Sequence, residues 1–285
     1  MTRTLTFKIN TEHDGTDIRT YVRKVLGLSA RVLTALKYEG EILLDGEPAR
    51  SIDLVHSGNT LSLTLYDDVC EYEPVEIPMR ILYEDDDFLV IYKSAGMPIH
   101  PSPGHDADSV LNAAAHYFRN CDRFVFRPLY RLDRDTTGIL VLAKNKFAAS
   151  ATLQKTYTAV CEGVVPECGT IDQPIGLLPG HSIQRGTGFG QPAITEFSRI
   201  ATDGQYSLVR FKLLTGRTHQ IRVHMSSLGY PLAGDDLYGG HLDVSDKQML
   251  CCSKLCISCP VLNFNKSIEV DFSDAQKALI PRLWT

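Results

Sequence analysis

The chain lacks any long apolar run. Uninterrupted stretches such as Ile139–Ala143 fall far short of the ~18–20 residues that a helix needs to cross a bilayer. No membrane partner is therefore expected. Cysteine is scarce as well: eight in 285 residues are too few for a disulfide scaffold. The opening residues, Met1-Thr-Arg-Thr-Leu-Thr-Phe-Lys, contain no apolar segment of a secretory signal. Together these absences predict free thiols in a reducing cytoplasm. Composition excludes disorder, collagen-like repeats and coiled coil, since 44% of residues are apolar and 22% charged, as in ordinary globular proteins. The length suits one large domain with a small companion. It buries enough surface to need neither metal nor disulfide for folding.

Basic charge is also in short supply overall, because the net charge is −5. The distribution reverses that reading. Between Asp67 and Asp87 nine acids stand against Arg80 alone. That segment is −8 and leaves +3 for the rest of the chain. Two stretches are strongly basic: Asp17 to Tyr38, with Arg19, Arg23, Lys24, Arg31 and Lys37, and Arg210 to His224, with Arg210, Lys212, Arg217 and Arg222. Local patches decide phosphate binding, not the total. A solvated helix face is the plain alternative for the first of them.

Helical spacing of Ile18, Val22 and Leu26 is broken by Gly27. Ser29 is a good N-cap for a second helix, with Val32, Leu33 and Leu36 on one face, which Gly40 stops. Strands are expected at Thr4–Asn10, at Glu41–Leu44 into an Asp45-Gly46 turn, and at Leu61–Leu65. Residues 67–78, acidic and holding Pro74 and Pro78, read as an extended, solvated linker. Beyond it, strands are predicted at Phe88–Tyr92, Ile139–Ala143, Tyr157–Val160, Thr195–Arg199, Ser207–Leu214 and Ile268–Phe272. Helices are predicted at Ser109–Phe118, Phe147–Leu153 and His219–Leu228. They do not alternate strictly with strands, so the fold class is mixed α+β and not a doubly wound parallel sheet. The domain plan is 1–66, a linker 67–78, and 79–285.

The most informative segment is Tyr130-Arg-Leu-Asp-Arg-Asp-Thr-Thr-Gly-Ile-Leu-Val-Leu-Ala-Lys. A polar loop at the mouth of an apolar strand is a common seat of catalytic groups, because the strand fixes its geometry. An Asp-rich turn with capping threonines is the bland alternative. A calcium loop fails on charge, since position 12 is Lys144. A phosphatase loop of the Asp-x-Asp-x-Thr type should follow an apolar strand, and here Arg127-Pro-Leu-Tyr-Arg precedes it.

Arg131-Leu-Asp-Arg-Asp-Thr-Thr-Gly resembles the first motif of the RluA family of pseudouridine synthases. Lys155-Thr-Tyr-Thr-Ala resembles the second, Leu214-Thr-Gly-Arg-Thr-His-Gln-Ile-Arg-Val-His the third, and Leu232-Ala-Gly-Asp-Asp-Leu-Tyr-Gly-Gly its usual sequel. Upstream, Lys93-Ser-Ala-Gly-Met-Pro-Ile-His-Pro-Ser also fits. Several motifs in order are far more specific than any one of them. The likeness runs from about Val75 to the C-terminus. Asp14 to Leu65 resembles the S4-like domain that many members carry in front, in which a helix pair presents cations to RNA.

The resemblance implies a cofactor-free isomerase that turns a uridine of RNA into pseudouridine, with large-subunit ribosomal RNA the default substrate. It implies that Asp133 is the nucleophilic carboxylate, attacking C1′ or C6 or assisting proton loss at C2′. It implies that Arg222 grips Asp133 as a bidentate partner. Tyr157 matches the tyrosine that stacks on uracil and takes part in proton transfer. Arg131 matches the arginine that fills the gap left by a flipped base. Arg217, with Arg19, Arg23, Lys24 and Arg31, is a candidate for RNA contacts. Two departures stand out: Tyr130 replaces a histidine found in many relatives, and the segment from Gly138 to Tyr157 is roughly two helical turns shorter than the family's.

Asp135, Asp235 and Asp236 read as structural. His219 and His224 are poorly spaced for zinc, and Cys256-x-x-Cys259 reads as ordinary buried thiols. No metal site and no protein partner are expected. Two other function classes remain to be separated from the isomerase. One is a ribosome-associated RNA-binding protein that has lost catalysis. The other is a magnesium-dependent phosphatase.

Overall fold

The computed structural model describes residues 2–68, 71–121 and 124–284. Residues 69 and 70 of the acidic segment lie outside this range. In the N-terminal unit, β1 (Arg3–Lys8) is followed by α1 (Ile18–Thr20), which runs on through a wider helical turn, Tyr21–Val25. Then come α2 (Ala30–Tyr38), β2 (Gly40–Leu44), β3 (Glu47–Pro48) and β4 (Thr60–Leu65). The strands form an antiparallel sheet in the order β1-β4-β2-β3. Asp17 caps α1 through Thr20, and Ser29 caps α2 through Val32. The Asp45-Gly46 hairpin has φ of 53° and 88°, the pair of positive values that a two-residue turn of this hand requires. Gly40 does not stop α2 by an unusual backbone. It opens β2, where an added Cβ would lie 2.4 Å from the Thr64 carbonyl.

The larger unit contains β5 (Arg80–Glu84), β6 (Phe88–Lys93), α3 (Val110–Tyr117), β7 (Thr137–Ala143) and β8 (Thr152–Glu162). It continues with β9 (Cys168–Asp172), a hairpin of β10 (Ile175–Leu177) and β11 (Arg185–Thr187), β12 (Ile194–Thr202) and β13 (Tyr206–Leu213). The last elements needed here are α4 (Gln220–Ser227), β14 (Leu250–Cys259) and β15 (Phe264–Glu269). Among the described residues the main sheet runs β9-β12-β13-β8-β14-β7-β6-β5, with β15 also paired to β14. Every pairing in it is antiparallel except β14 with β7, which meet in parallel at Cys251–Thr137 and Cys252–Gly138. The α+β class is thus what the chain adopts. All seven residues of β7 are buried, which fixes the loop that leads into it.

Two expectations are corrected. The helix over Phe147–Leu153 does not form. Asn145 caps the Ala148 amide at 2.9 Å, a single 3-10 turn covers Ala148–Ser150, and β8 begins at Thr152. Phe147 instead plugs the core of the N-terminal unit. The acidic segment is also not solvated throughout. Asp67 is buried and takes two hydrogen bonds from Arg127, at 2.6 and 3.1 Å. Glu73 and Val75 exchange hydrogen bonds with Asn112 of α3. The described part of the segment is thus docked on the larger unit through Asp67, Glu73 and Val75. Arg3 with Asp87 and Lys146 with Glu39 tie the two units together directly.

Candidate active site

The loop from Tyr130 to Thr136 is pinned from beneath. Lys93, at the end of β6 and almost fully buried, donates to the carbonyls of Ser94 (2.9 Å), Met97 (2.8 Å) and Arg134 (2.6 Å). Burial pushes its ammonium down to about 7, against the pull of Asp135 and Asp133. Asp135 accepts from the Gly96 amide and the Arg134 guanidinium, so it braces the same loop. Gly138 follows at φ 109°, where a Cβ would lie 2.4 Å from the Cys252 carbonyl.

Held in this way, Asp133 stands on the wall of a cleft of about 910 Å³. Its side chain is 27% exposed. Arg131, Leu132, His219 and Arg222 line the same cleft, with Ile183 and Arg185 of the β10–β11 hairpin opposite. A smaller recess opens off it, lined by Asp133, Tyr157, Leu213, Arg217, His219 and Arg222. Three motifs distant in sequence therefore converge: the 131–138 loop, β8 and the start of α4.

The expected grip of Arg222 on Asp133 is not what forms. The Nε and Nη2 of Arg222 bind the two carboxylate oxygens of Asp235, both at 2.7 Å. Only Nη1 faces Asp133, at 3.5 Å from Oδ2. Asp235 is fully buried, so its charge requires this partner. Arg222 keeps one nitrogen for Asp133 because the planar fork has a third corner. The structural role expected of Asp235 takes a specific form. It is the anchor of the site's buried cation.

Tyr157 lies beside Cys252 and is buried. Burial pushes its phenol well above the ordinary range, and the nearby charge of Asp133 adds to this. Its hydroxyl stays neutral beside Cys252, and its side chain lines the recess. Tyr130 does not reach the cleft. Its hydroxyl donates to the Ile139 carbonyl, and Lys155 sits over its ring. Arg131 is exposed at the cleft and makes no ion pair among the described residues. Arg217 is exposed at the recess, with its Nε on the Pro192 carbonyl at 3.0 Å.

Arg19, Arg23, Lys24 and Arg31 are all exposed on the N-terminal helices and lie outside both cavities. Arg23 is partly engaged, donating to the Leu28 carbonyl. Cys256 is only half-buried, close to Ser267, while Cys259 is buried near Phe147 and Ser150. The two are therefore not equivalent thiols. Among the described residues no cluster of three His, Cys, Asp or Glu is arranged to hold a metal.

Sequence reasoning missed His219 and Tyr238, which stand beside Asp133 and Arg222. It also gave Lys93 no role. All three lie inside stretches already singled out by their motifs, so the signal was present.

The profile of the RNA pseudouridylate synthase family matches residues 87–227. A protein of Pseudomonas aeruginosa named ribosomal large subunit pseudouridine synthase D is 38% identical over 222 residues, covering 72% of this chain and 68% of its own. A Bacillus subtilis protein named uncharacterized RNA pseudouridine synthase YjbO is 36% identical over 269 residues, covering 90% of this chain and 95% of its own. Human RNA pseudouridylate synthase domain containing 1 superposes with a TM-score of 0.58 at 26% identity, over 74% of this chain and 90% of that one. On these likenesses the chain belongs to the RNA pseudouridine synthase family of isomerases.

Proposed function

We propose that the chain isomerises a uridine of large-subunit ribosomal RNA, in the cytoplasm, with Asp133 as the catalytic carboxylate. The observation that carries this is the meeting of Asp133, Arg222 and Tyr157 around one recess off a wide cleft. The substrate class follows from a relative whose name states that it acts on the large ribosomal subunit.

The reaction breaks the N1–C1′ bond, turns the base, and forms a C5–C1′ bond. C5 gives up its proton, and N1 gains one. Whether the carboxylate adds to the nucleotide or removes a ribose proton, it must meet a base lifted out of its stack. That lifting costs a few kcal/mol. Arg131, exposed at the cleft beside Asp133, fills the vacated stack. Tyr157 contributes a flat ring and a neutral hydroxyl against the uracil. Arg217 offers a cation at the rim. The unit at 1–66 acts as an S4-like RNA-binding domain through Arg19, Arg23, Lys24 and Arg31, joined by 67–78 to the catalytic domain at 79–285.

The test uses RNA labelled with 5-tritiated uridine, extracted from a strain lacking this chain. Wild-type protein should release tritium to water as the C5 proton leaves. Asp133→Ala should bind the RNA within about threefold of wild type and release none, since the residue acts in chemistry and not in docking. Turnover near wild type in that variant would overturn the assignment.

A further inference from the structure

His219 is not explained by the chemistry above. It precedes α4 in the left-handed region, at φ 58° and ψ 21°, a conformation rare outside glycine and one that histidine, asparagine and aspartate enter most readily. Such strain is maintained only where the surroundings enforce it. Here the enforcing contacts are on the ring. Nδ1 lies 2.8 Å from the Tyr238 hydroxyl, and the two rings meet edge to face at 5.6 Å. Nε2 lies 4.0 Å from Asp133 Oδ2.

The hydrogen bonds of Tyr238 favour one tautomer. Its oxygen already accepts the Arg185 amide at 3.0 Å. Its own proton has one acceptor among the described residues, His219 Nδ1. An imidazole that accepts at Nδ1 and is neutral carries its hydrogen on Nε2. Nε2 is the ring nitrogen nearer the carboxylate, 4.0 Å from Oδ2. Arg222 Nη1 approaches the same Oδ2 at 3.5 Å, whereas Oδ1 has no donor among the described residues.

We infer that His219 is a positioning residue for Asp133: together with Arg222 it holds Oδ2 and so leaves Oδ1 as the oxygen presented to the nucleotide. This rests on the assignment of Asp133 as the catalytic carboxylate. The 4.0 Å separation is longer than a hydrogen bond, and catalytic contacts are often long in the absence of substrate. The groups facing the ring are Asp133 from the motif loop, Arg222 from α4, Asp235 and Tyr238 from the segment after it, and Arg185 from β11. Burial holds the imidazole below its usual range, and Arg222 and Arg185 add to this, against Asp133 and Asp235.

Two variants separate donation from mere filling of space. His219→Asn tolerates the left-handed backbone, but its amide is too short to reach Asp133 from that position. His219→Gln places an N–H close to where Nε2 stands. In single-turnover tritium release from the same labelled RNA, we expect His219→Asn to lose at least about tenfold in rate at saturation, with the half-saturating concentration within about twofold of wild type. We expect His219→Gln to recover most of that loss. A rate for His219→Asn within about twofold of wild type, or a His219→Gln variant as slow as His219→Asn, overturns the proposal. If wild-type protein itself releases no tritium, the isomerase reading has failed and the role of His219 falls with it.

Discussion

Arg222 holds Asp235 by two hydrogen bonds of 2.7 Å and reaches Asp133 only with its remaining nitrogen, at 3.5 Å. The site is therefore built in two tiers. A buried pair fixes the guanidinium, and the guanidinium then offers one N–H to the carboxylate that faces the cleft. Asp133 is left half-open instead of locked in a closed salt bridge, which suits a group that must leave its partner to react.

Asp235→Asn should show this directly. Removing one member of a buried pair leaves the other charge uncompensated, which costs about 3–5 kcal/mol of stability. Urea unfolding should report that loss. Single-turnover rate should fall by about 10²-fold, because a guanidinium displaced by an ångström no longer orients Asp133. A variant with wild-type stability and rate would show that the pair is incidental.

Lys93 gives a pH signature. Its folded-state proton leaves near 7, whereas an ordinary lysine keeps its proton to about 10.5. Between those values the unfolded chain binds more protons than the folded one, so the contribution of this group to stability rises with pH. Below that window the buried ammonium carries its full desolvation penalty. The difference in urea midpoint between wild type and Lys93→Met should therefore shift in favour of wild type on going from pH 7 to about pH 9. A difference independent of pH would reject this account. Lys93→Met should also be inactive, because the three carbonyls it clamps include that of Arg134, next to Asp133.

Much of this was legible in the sequence. The loop 131–138 stood out because polar groups crowd before an apolar strand, and β7 is indeed buried along its length. A cap such as Ser29 acts locally, within three residues, and it does what its position predicts. The misses are non-local. Asp67 looked solvated until Arg127, sixty residues away, paired with it. The apolar spacing at Phe147–Leu153 suggested a helix, but Phe147 serves the core of the N-terminal unit. Asp235 and Arg222 are thirteen residues apart, across a helix and a turn. No local periodicity reports such a pairing.

Gly138 tests how tightly the motif loop is registered to β14. Alanine there meets both a positive φ of 109° and the Cys252 backbone at 2.4–2.8 Å. A Cβ at such a φ costs more than about 1 kcal/mol before any clash. The obstruction is backbone, which has no rotamer to escape into. Gly138→Ala should therefore lower the unfolding midpoint clearly and weaken turnover through Asp133. Gly204→Ala, at φ 93° with nothing near its Cβ, provides the strain-only control and should be milder. Equal losses at the two positions would mean that the contact with β14 does not matter.

The N-terminal helices should contribute affinity and not chemistry. Arg19, Lys24 and Arg31 are exposed, and the cleft is lined by other residues. Arg23 is best left alone, since its guanidinium closes the turn at Leu28. Each phosphate contact adds about 0.7–0.9 to the slope of log affinity against log salt. The triple variant Arg19→Ala, Lys24→Ala, Arg31→Ala should then bind RNA more weakly at low salt, with the slope reduced by about two to three. Its rate at saturating RNA should match wild type, because the docked acidic segment and the ion pairs Arg3–Asp87 and Lys146–Glu39 remain in place. An unchanged salt slope would place the RNA elsewhere. A fall in saturating rate would mean that these cations shape the bound substrate and do more than hold it.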